Sequence, residues 1–178
     1  MSETTRKYSG TTDCSVTERE LRNREIARKA AAEGMVLLKN EGILPLEKND
    51  KIALFGGGAV ATVKGGTGSG DVNEREVVSI YQGLQDAGFE FVNKEWLDGY
   101  TKLHQEERLR WRDMLQEKLK DAVGMEILDI YSTNPFHMPA GAAMKESDVA
   151  GAKAVFYVIS RKAGEGADRF KDAGDYDL

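Results

Sequence analysis

A single carboxylate stands out in the sequence as a candidate for chemistry because of the residues around it. Glu165 lies between Gly164 and Gly166, just after AVFYVIS at residues 154–160, the most strand-like run in the chain. Glycines let the backbone adopt positive φ angles and let a ligand approach closely. In open α/β sheets, ligands bind just beyond the carboxyl ends of the strands. The position of Glu165 therefore makes it the first candidate for a reacting group.

A second glycine-rich loop follows a second strand-like run. KIALF at residues 51–55 leads directly into three glycines at residues 56–58, and the loop continues as KGGTGSGDVN at residues 64–73. So much glycine costs backbone entropy, which is tolerated where the backbone must pass close to another group. Two loops of this kind thus follow two predicted strands.

Composition and charge argue against several classes of function. Charged residues make up 31% of the 178 residues and hydrophobic residues 40%, and the formal net charge is -5. Nucleic acids and anionic membranes select for basic proteins, so we expect neither as a partner. No run approaches the roughly 18 consecutive apolar residues that span a bilayer. Because the first ten residues are polar and lack the apolar core of a secretory signal, we expect a cytoplasmic protein.

Residues that commonly bind metals are sparse. Cys14 is the only cysteine, so it cannot form an internal disulfide. His104 and His137 are the only histidines, and they lack the spacing of metal ligands. We therefore expect no metal site and no cofactor.

The apolar periodicity predicts helices that alternate with strands. Thr17 and Glu20 have the spacing of a capping box, and the pattern after them predicts a helix that ends near Lys39. Gly88 is placed to stop a later helix. The other predicted helices lie at residues 77–87, 94–122 and 146–153, and the predicted strands at residues 51–55, 89–92, 125–131 and 154–160.

Two of these elements carry a more specific prediction. The charges at residues 104–110 predict an exposed bend, or two consecutive helices, within the long helical stretch. The run from Val155 to Ile159 is β-branched and aromatic without polar alternation, so we expect this strand to be covered on both faces.

The order of the elements predicts an α/β fold, a three-layer α/β/α sandwich with a mainly parallel sheet. Residues 1–16 are predicted to form a flexible arm. The last strand is followed only by a loop, without the crossover helix that would cover it. We therefore expect an incomplete sheet that belongs to a larger domain, and it stays open whether the sheet is completed in a homo-oligomer.

Three stretches of the sequence resemble a known family. They are AAAEGMVLLKNEGILPL at residues 30–46, KIALFGGGAVATVKGGTGSGDVN at residues 51–73 and ISRKAGEGADR at residues 159–169. Together they resemble the α/β sandwich domain of glycoside hydrolase family 3, and the resemblance covers residues 17–178 as the leading portion of that domain. The KGGTGSGDVN motif is most similar to that of family members in which this domain precedes the barrel domain.

The resemblance implies a function and a partner. Members are typically β-glucosidases and related exo-acting enzymes that remove a sugar with retention of configuration. Their general acid/base is a glutamate on a loop of the sandwich domain, and Glu165 matches that position. Their nucleophile is an aspartate on the barrel domain, and its motif has no match here. The implied enzyme would act on a β-linked glucoside or related oligosaccharide, and this chain would be inactive without its barrel domain.

The resemblance also gives roles to the polar residues of the two loops. It implies that the first loop borders the mouth of the active site, where donors and acceptors for sugar hydroxyls are supplied by Lys64, Ser69, Asp71 and Asn73. The alternative, that the glycines only turn the chain and the polar side chains only bond to backbone, stays open. In the second loop, Arg161 and Arg169 bracket Glu165; they either stabilise its anion or, as we favour, pair with acids such as Asp168 and fix the loop.

Two other classes of function compete with the glycosidase. A strand followed by GGG and GGTGSG suggests a phosphate-binding loop, but neither GxGxxG nor GxxxxGK[ST] is present in it. The second alternative is a non-catalytic carbohydrate-binding or interaction module, which would keep the fold and the loops but never meet a nucleophile.

Overall fold

The computed structural model describes residues 14–65, 70 and 75–163, and the chain divides into two units. The first unit ends at Leu44 and the second begins at Pro45. Most of the predicted flexible arm, residues 1–13, lies outside the described part. Among the described residues, no helix is both long and apolar enough to cross a membrane.

In its described residues, the first unit contains one helix, α1 (Glu18–Glu33). The predicted capping box is confirmed, because the Glu20 amide donates to Thr17 Oγ1 at 3.2 Å and the Thr17 amide donates to Glu20 Oε2 at 2.7 Å. The predicted end near Lys39 is wrong. Gly34 is the C-cap, and its amide donates a hydrogen bond to the Ala30 carbonyl. The helix ends here because glycine is a poor helix former.

Over the residues that the structure describes, the second unit is built on a sheet of three parallel strands. They are β1 (Lys51–Phe55), β2 (Glu90–Phe91) and β3 (Ala154–Tyr157), in the spatial order β2-β1-β3. In register, Ile52 of β1 lies opposite Phe91 of β2 and Ala154 of β3. The predicted α/β class with a parallel sheet is therefore confirmed.

Helical segments join the strands. They are α2 (Gly57–Val60), α3 (Ile80–Asp86), α4 (Lys94–Leu119), α5 (Met125–Thr133) and a 3₁₀ turn (Glu146–Val149). The predicted stop at Gly88 agrees with its positive φ of 92°. Helix α3 begins three residues later than predicted, because Ser79 caps it by accepting a hydrogen bond from the Gln82 amide.

The long helical stretch is not interrupted near residues 104–110. Helix α4 is continuous for 26 residues, so the prediction of an interrupting bend or of two consecutive helices there is wrong. Its charges are compatible with one helix because they pair along it: Arg110 binds Glu107 three residues before it, and Lys102 faces Glu106 at 4.0 Å.

The predicted strand at residues 125–131 is also wrong, since this stretch forms α5. A short apolar run such as MEILDIY fits a helix or a strand equally well by periodicity. The fold places this run next to the end of α4. Helix formation then satisfies its backbone groups within the segment, and no strand neighbour is needed.

The core of the second unit surrounds β1. Ile52, Ala53, Leu54 and Phe55 are all fully buried. Leu54 forms a buried cluster with Ala59 and Leu97, against which Tyr81 and Phe156 pack. Successive side chains of a strand point to opposite faces. Because all four side chains are buried, both faces of β1 are covered.

Strand β3 differs from the expectation that both of its faces are covered. Ala154 is buried, but Val155 is 55% exposed and Tyr157 is 62% exposed. Ile159, just beyond the strand, is 60% exposed. The alternation shows one covered and one open face. Within the described part of the chain, β3 is an edge strand, and no helix covers its outer face.

Candidate functional site

The structure brings the first residues of the two predicted loops together beyond the carboxyl ends of β1 and β3. Residues 63–65, after β1 and α2, and residues 161–163, after β3, line one open cleft of about 290 Å³. In the described part of the chain, its lining includes Val63, Lys64, Gly65, Arg161, Lys162 and Ala163. This is the edge of a parallel sheet at which ligands bind in α/β proteins. We therefore take it as the candidate site.

The glycines that open the first loop are in contact with protein. Gly56 has a φ of 92°, and a Cβ there would overlap the carbonyl oxygen of Val158. A Cβ on Gly58 would lie 2.6 Å from the Cβ of Ser160. Real Cβ atoms do not approach other atoms so closely, so only glycine fits at these two positions. For this turn, the structure favours the alternative in which the glycines serve the chain's own packing.

The close approach explains why the two loops meet. The turn at residues 56–58 passes directly over the extension of β3 at Val158 and Ser160. The Val158 amide also donates to the Phe55 carbonyl at 2.9 Å, which extends the pairing beyond the strand ends. Residues that continue from these two points therefore start side by side.

Hydrogen bonds of Thr62 hold the start of the first loop in place. Thr62 Oγ1 donates to the Gly58 carbonyl at 2.7 Å and accepts from the Ile80 amide at 2.9 Å, which links α2 to the start of α3. Gly65 lies against the Gly70 carbonyl, so that no side chain fits at Gly65. Gly65 and Gly70 therefore lie close together, and Lys64 adjoins this contact.

Helix α4 supports the turn from its other side. Gly57 lies against the hydroxyl of Tyr100, and a Cβ there would be 2.8 Å from the terminal methyl of Met138. The Tyr100 hydroxyl donates to the Pro139 carbonyl at 3.0 Å, and its ring stacks on Trp96 with centroids 5.4 Å apart. Burial, with a smaller contribution from Tyr157, raises the pKa of Tyr100, which keeps it a neutral donor.

Aromatic side chains hold the segment that carries Met138 against α4. The indole of Trp111 donates to the Asn134 carbonyl at 2.9 Å, and that of Trp96 donates to the Ala142 carbonyl at 2.9 Å. Between these two points, Arg108 lies over the ring of Phe136 at 5.0 Å from its centroid. These contacts fix the segment that packs, through Met138, against the glycine turn on the α4 side.

Two of the predicted site residues line the cleft. Lys64 and Arg161 face it from opposite loops, together with Lys162. The other predicted residues lie outside the described part of the chain: Ser69, Asp71, Asn73, Gly164, Glu165, Gly166, Asp168 and Arg169. Sequence reasoning did not select Lys162, although it adjoins Arg161 and is separated from the GEG motif only by Ala163.

The described part of the cleft lining is basic although the whole chain is acidic. Three cationic side chains contribute to it, while the formal net charge of the chain is -5. Cations close to a carboxyl group favour its ionised form, and they also donate hydrogen bonds to hydroxyl oxygens. In the described ranges, no group of three or more His, Cys, Asp or Glu side chains is arranged to hold a metal ion.

Comparison with known proteins gives a consistent result. Residues 35–177 match the model of the family described as the glycosyl hydrolase family 3 C-terminal domain. The chain is 31% identical to a β-glucosidase from Ruminococcus albus over 156 residues, which are 85% of this chain and 15% of that enzyme. It is 51% identical to β-glucosidase A from Butyrivibrio fibrisolvens over 61 residues, 34% of this chain and 7% of that protein.

The fold is also similar to that of a solved enzyme. The structure of β-glucosidase 3B from Thermotoga neapolitana in complex with α-D-glucose superposes with a TM-score of 0.58 and 32% sequence identity. The superposition covers 89% of this chain and 20% of that one. The chain therefore spans no more than about a fifth of each of these relatives.

Proposed function

Because the chain belongs to the glycosyl hydrolase family 3 C-terminal domain family, we propose that it is part of a retaining, exo-acting β-glycosidase of the β-glucosidase type. The observation that carries the proposal is the cleft at the carboxyl ends of β1 and β3, where the first residues of the two glycine-rich loops, 63–65 and 161–163, lie side by side. The ligand is a β-linked glucoside or a related oligosaccharide. Sequence identity to β-glucosidases and the fold shared with a glucose complex support this substrate class.

In this proposal Glu165 is the general acid/base. It follows the cleft residue Ala163 by two positions. As an acid it gives a proton to the oxygen of the departing aglycone while the bond to the sugar breaks. As a base it then takes a proton from the water that attacks the glycosyl-enzyme intermediate. Its proton affinity must therefore fall between the two steps.

The charge of a neighbouring nucleophile accounts for that fall. While the nucleophilic carboxylate is ionised, its negative charge favours the protonated form of Glu165. Once the sugar has esterified the nucleophile, that charge is gone, and Glu165 ionises in time to act as a base. For Arg161, which lines the cleft, the favoured role is unchanged: it pairs with acids such as Asp168 and fixes the loop, because a cation held against Glu165 would favour its ionised form in both steps and so oppose the acid step.

The proposal needs a second carboxylate from another domain. Retaining hydrolysis requires the two carboxyl groups about 5–5.5 Å apart. The nucleophile is supplied by a barrel domain of the same enzyme, which we propose as the partner of this chain, here in the order with the barrel second. The cytoplasmic location and the formation of a homo-oligomer stay predictions.

The first test uses the 178-residue chain alone. We expect no turnover of an aryl β-glucoside, because one carboxylate cannot complete the double displacement. In an NMR titration, we expect glucose to shift the amide signals of residues 63–65 and 161–163, and ATP to leave them unchanged. Turnover at the rate of a whole enzyme would overturn the dependence on a barrel domain. Shifts with ATP alone would favour nucleotide binding.

The second test removes the proposed acid/base in the complete enzyme. Glu165→Ala is expected to slow substrates with poor leaving groups by about 100-fold or more and to spare activated aryl glucosides in the first step. Azide should restore turnover of activated substrates, because this nucleophile needs no base. Glu117→Ala, at an exposed position of α4, is the matched control and should change neither rate. Absence of azide rescue would reject the assignment of Glu165.

A further inference from the structure

The pairing between β2 and β1 ends early and is continued by a side chain. Strand β2 has only two residues, and after Val92 the main chain leaves the sheet to begin α4. Asn93, which is 3% exposed, occupies the next position of the ladder. Its Nδ2 donates to the Leu54 carbonyl at 2.8 Å, and its Oδ1 accepts from the Leu54 amide at 3.1 Å. The side-chain amide thus replaces a backbone partner.

Both sides of β1 are therefore held at its carboxyl end. Asn93 binds Leu54 on the β2 side, and the Val158 amide binds the Phe55 carbonyl at 2.9 Å on the β3 side. Gly56 follows directly. The chain thus enters the glycine turn from a point that is fixed by hydrogen bonds in both directions.

The glycine turn has no room to absorb a displacement of that point. Gly56 lies against the Val158 carbonyl, Gly57 against Tyr100 and Gly58 against Ser160. Close-packed contacts transmit a shift instead of damping it. A displacement of Leu54 therefore moves the turn relative to β3, and with it the position of residues 63–65 relative to residues 161–163.

We propose that Asn93 is a positioning residue of the cleft: its side-chain amide sets where β1 ends, and hence how the two loops face each other. Asn93 does not line the cleft and acts only through Leu54 and the turn. Its effect on sugar binding rests on the proposed function. Its effect on the loop geometry does not.

The variant that tests this role is Asn93→Asp in the 178-residue chain. The new carboxyl group has nearly the same shape as the amide. When this carboxyl group is ionised, it cannot donate a hydrogen bond to the Leu54 carbonyl and places a negative charge beside that oxygen. When it is protonated, its hydroxyl group donates the hydrogen bond. Burial raises the pKa of a carboxyl group, so the protonated form should be reached at mildly acidic pH.

The readout is the set of backbone amide shifts at residues 56–65 and 161–163, compared with the unchanged chain at each pH. We expect these signals to be displaced at neutral pH and to return toward the unchanged chain on acidification. Leu115→Ala is the control: it removes a buried side chain from α4 about 27 Å farther along the helix axis than Leu97. It should lower stability and leave the cleft signals in place.

Binding gives a second readout. At neutral pH the dissociation constant for glucose should rise by about tenfold in Asn93→Asp and stay unchanged in Leu115→Ala, since misplaced binding groups lose affinity although the chain stays folded. If the unchanged chain binds no glucose, the proposed function fails in this form. The amide shifts still decide the role of Asn93.

Two results would overturn the role of Asn93. One is a set of shift changes confined to Leu54 and its direct neighbours. The other is the same change at the cleft in Leu115→Ala, which would indicate a general loss of stability. Should the Asn93→Asp chain unfold at neutral pH, Asn93→Ser removes most of the contact without adding charge; its cleft signals should be displaced at every pH, with no recovery in acid.

Discussion

The two strands that lead to the cleft, β1 and β3, differ in how the fold covers them. In register, Phe55 of β1 lies opposite Tyr157 of β3, yet Phe55 is fully buried and Tyr157 is 62% exposed. By composition β3 is the better strand, since VFYVI is β-branched and aromatic throughout. The strand with the weaker local preference thus forms the centre of the core, so position in the sheet outweighs propensity here.

The difference follows from the number of neighbours. Strand β1 pairs with β2 and β3, and its end is held by Asn93 as well. Strand β3 pairs with β1 alone within the described residues. The aromatic ring of Trp96 covers Phe55 edge-on, with centroids 5.0 Å apart. The adjacent Val155 and Tyr157 stay open on that side.

The largest expected effect comes from the matched aromatic pair. Phe55→Ala should lower the free energy of unfolding by about 3–5 kcal/mol, because it leaves a cavity beneath Trp96. Tyr157→Ala, at the paired position, should lower it by less than about 1 kcal/mol, because its side chain is already largely in water. Urea denaturation of both variants measures the difference. Equal losses would mean that β3 is covered in solution.

The next effect tests the glycine turn, where the two strands come closest. Gly56→Ala should destabilise the chain by about 2–4 kcal/mol, because alanine is strained at a φ of 92° and its Cβ overlaps Val158. Gly83→Ala is the matched control. Nothing lies within 4 Å of a Cβ at Gly83, which is inside α3, so the change should stabilise the chain by about 0.5–1 kcal/mol.

Thermal unfolding of the two glycine variants separates them by sign. A fall in Tm for Gly83→Ala as large as that for Gly56→Ala would show that the contact with Val158 is not what requires glycine. In that case the turn would be free to approach a ligand, as the sequence alone allowed.

The smallest effect concerns the amino ends of the strands, where β1 and β3 are alike. The Asp50 carboxylate and the Lys153 ammonium lie 2.9 Å apart, and the Lys153 amide donates to the Lys51 carbonyl at 2.7 Å. The hydrogen bond with Lys153, followed by that from the Glu47 amide, lowers the pKa of Asp50. The folded chain therefore binds a proton at Asp50 less readily than the unfolded chain does.

The sign of the pH dependence follows from this lowered pKa. The stabilisation is fully present above the unfolded carboxyl pKa of about 3.9 and is lost as pH falls through the folded value. Lys153→Met should flatten this part of the stability profile, measured by urea denaturation between about pH 5 and pH 2. Lys102→Met, which removes an exposed pair on α4, is the control and should leave the profile unchanged. An unaltered profile in Lys153→Met would contradict the assignment.

Local signals in the sequence predicted the elements that depend on neighbouring residues. The capping box of Thr17 and Glu20, the strand at Lys51–Phe55 and the stop at Gly88 are confirmed, because the signal for each lies in residues within a few positions of one another. The resemblance of three stretches predicted the family, which the family model confirms. The role of Glu165 stays a prediction, since that residue lies outside the described part of the chain.

The remaining features depend on long-range contacts, which no local pattern encodes. Residues 125–131 became a helix through their place beside α4, and Asn93 became a strand partner for Leu54, 39 positions away in sequence. The sequence marked both loops as glycine-rich. Whether glycine serves a ligand or the chain's own packing depends on what lies opposite, and for residues 56–58 the answer is β3 and α4.

Taken alone, the sequence determined the type of fold and its family, because hydrophobic periodicity, helix caps and sequence motifs are properties of contiguous residues. The tertiary structure decided which strand is central, which face of β3 is open and which loop residues share a cleft. These depend on the order of strands in the sheet, because burial is set by what packs against a residue and not by the residue itself.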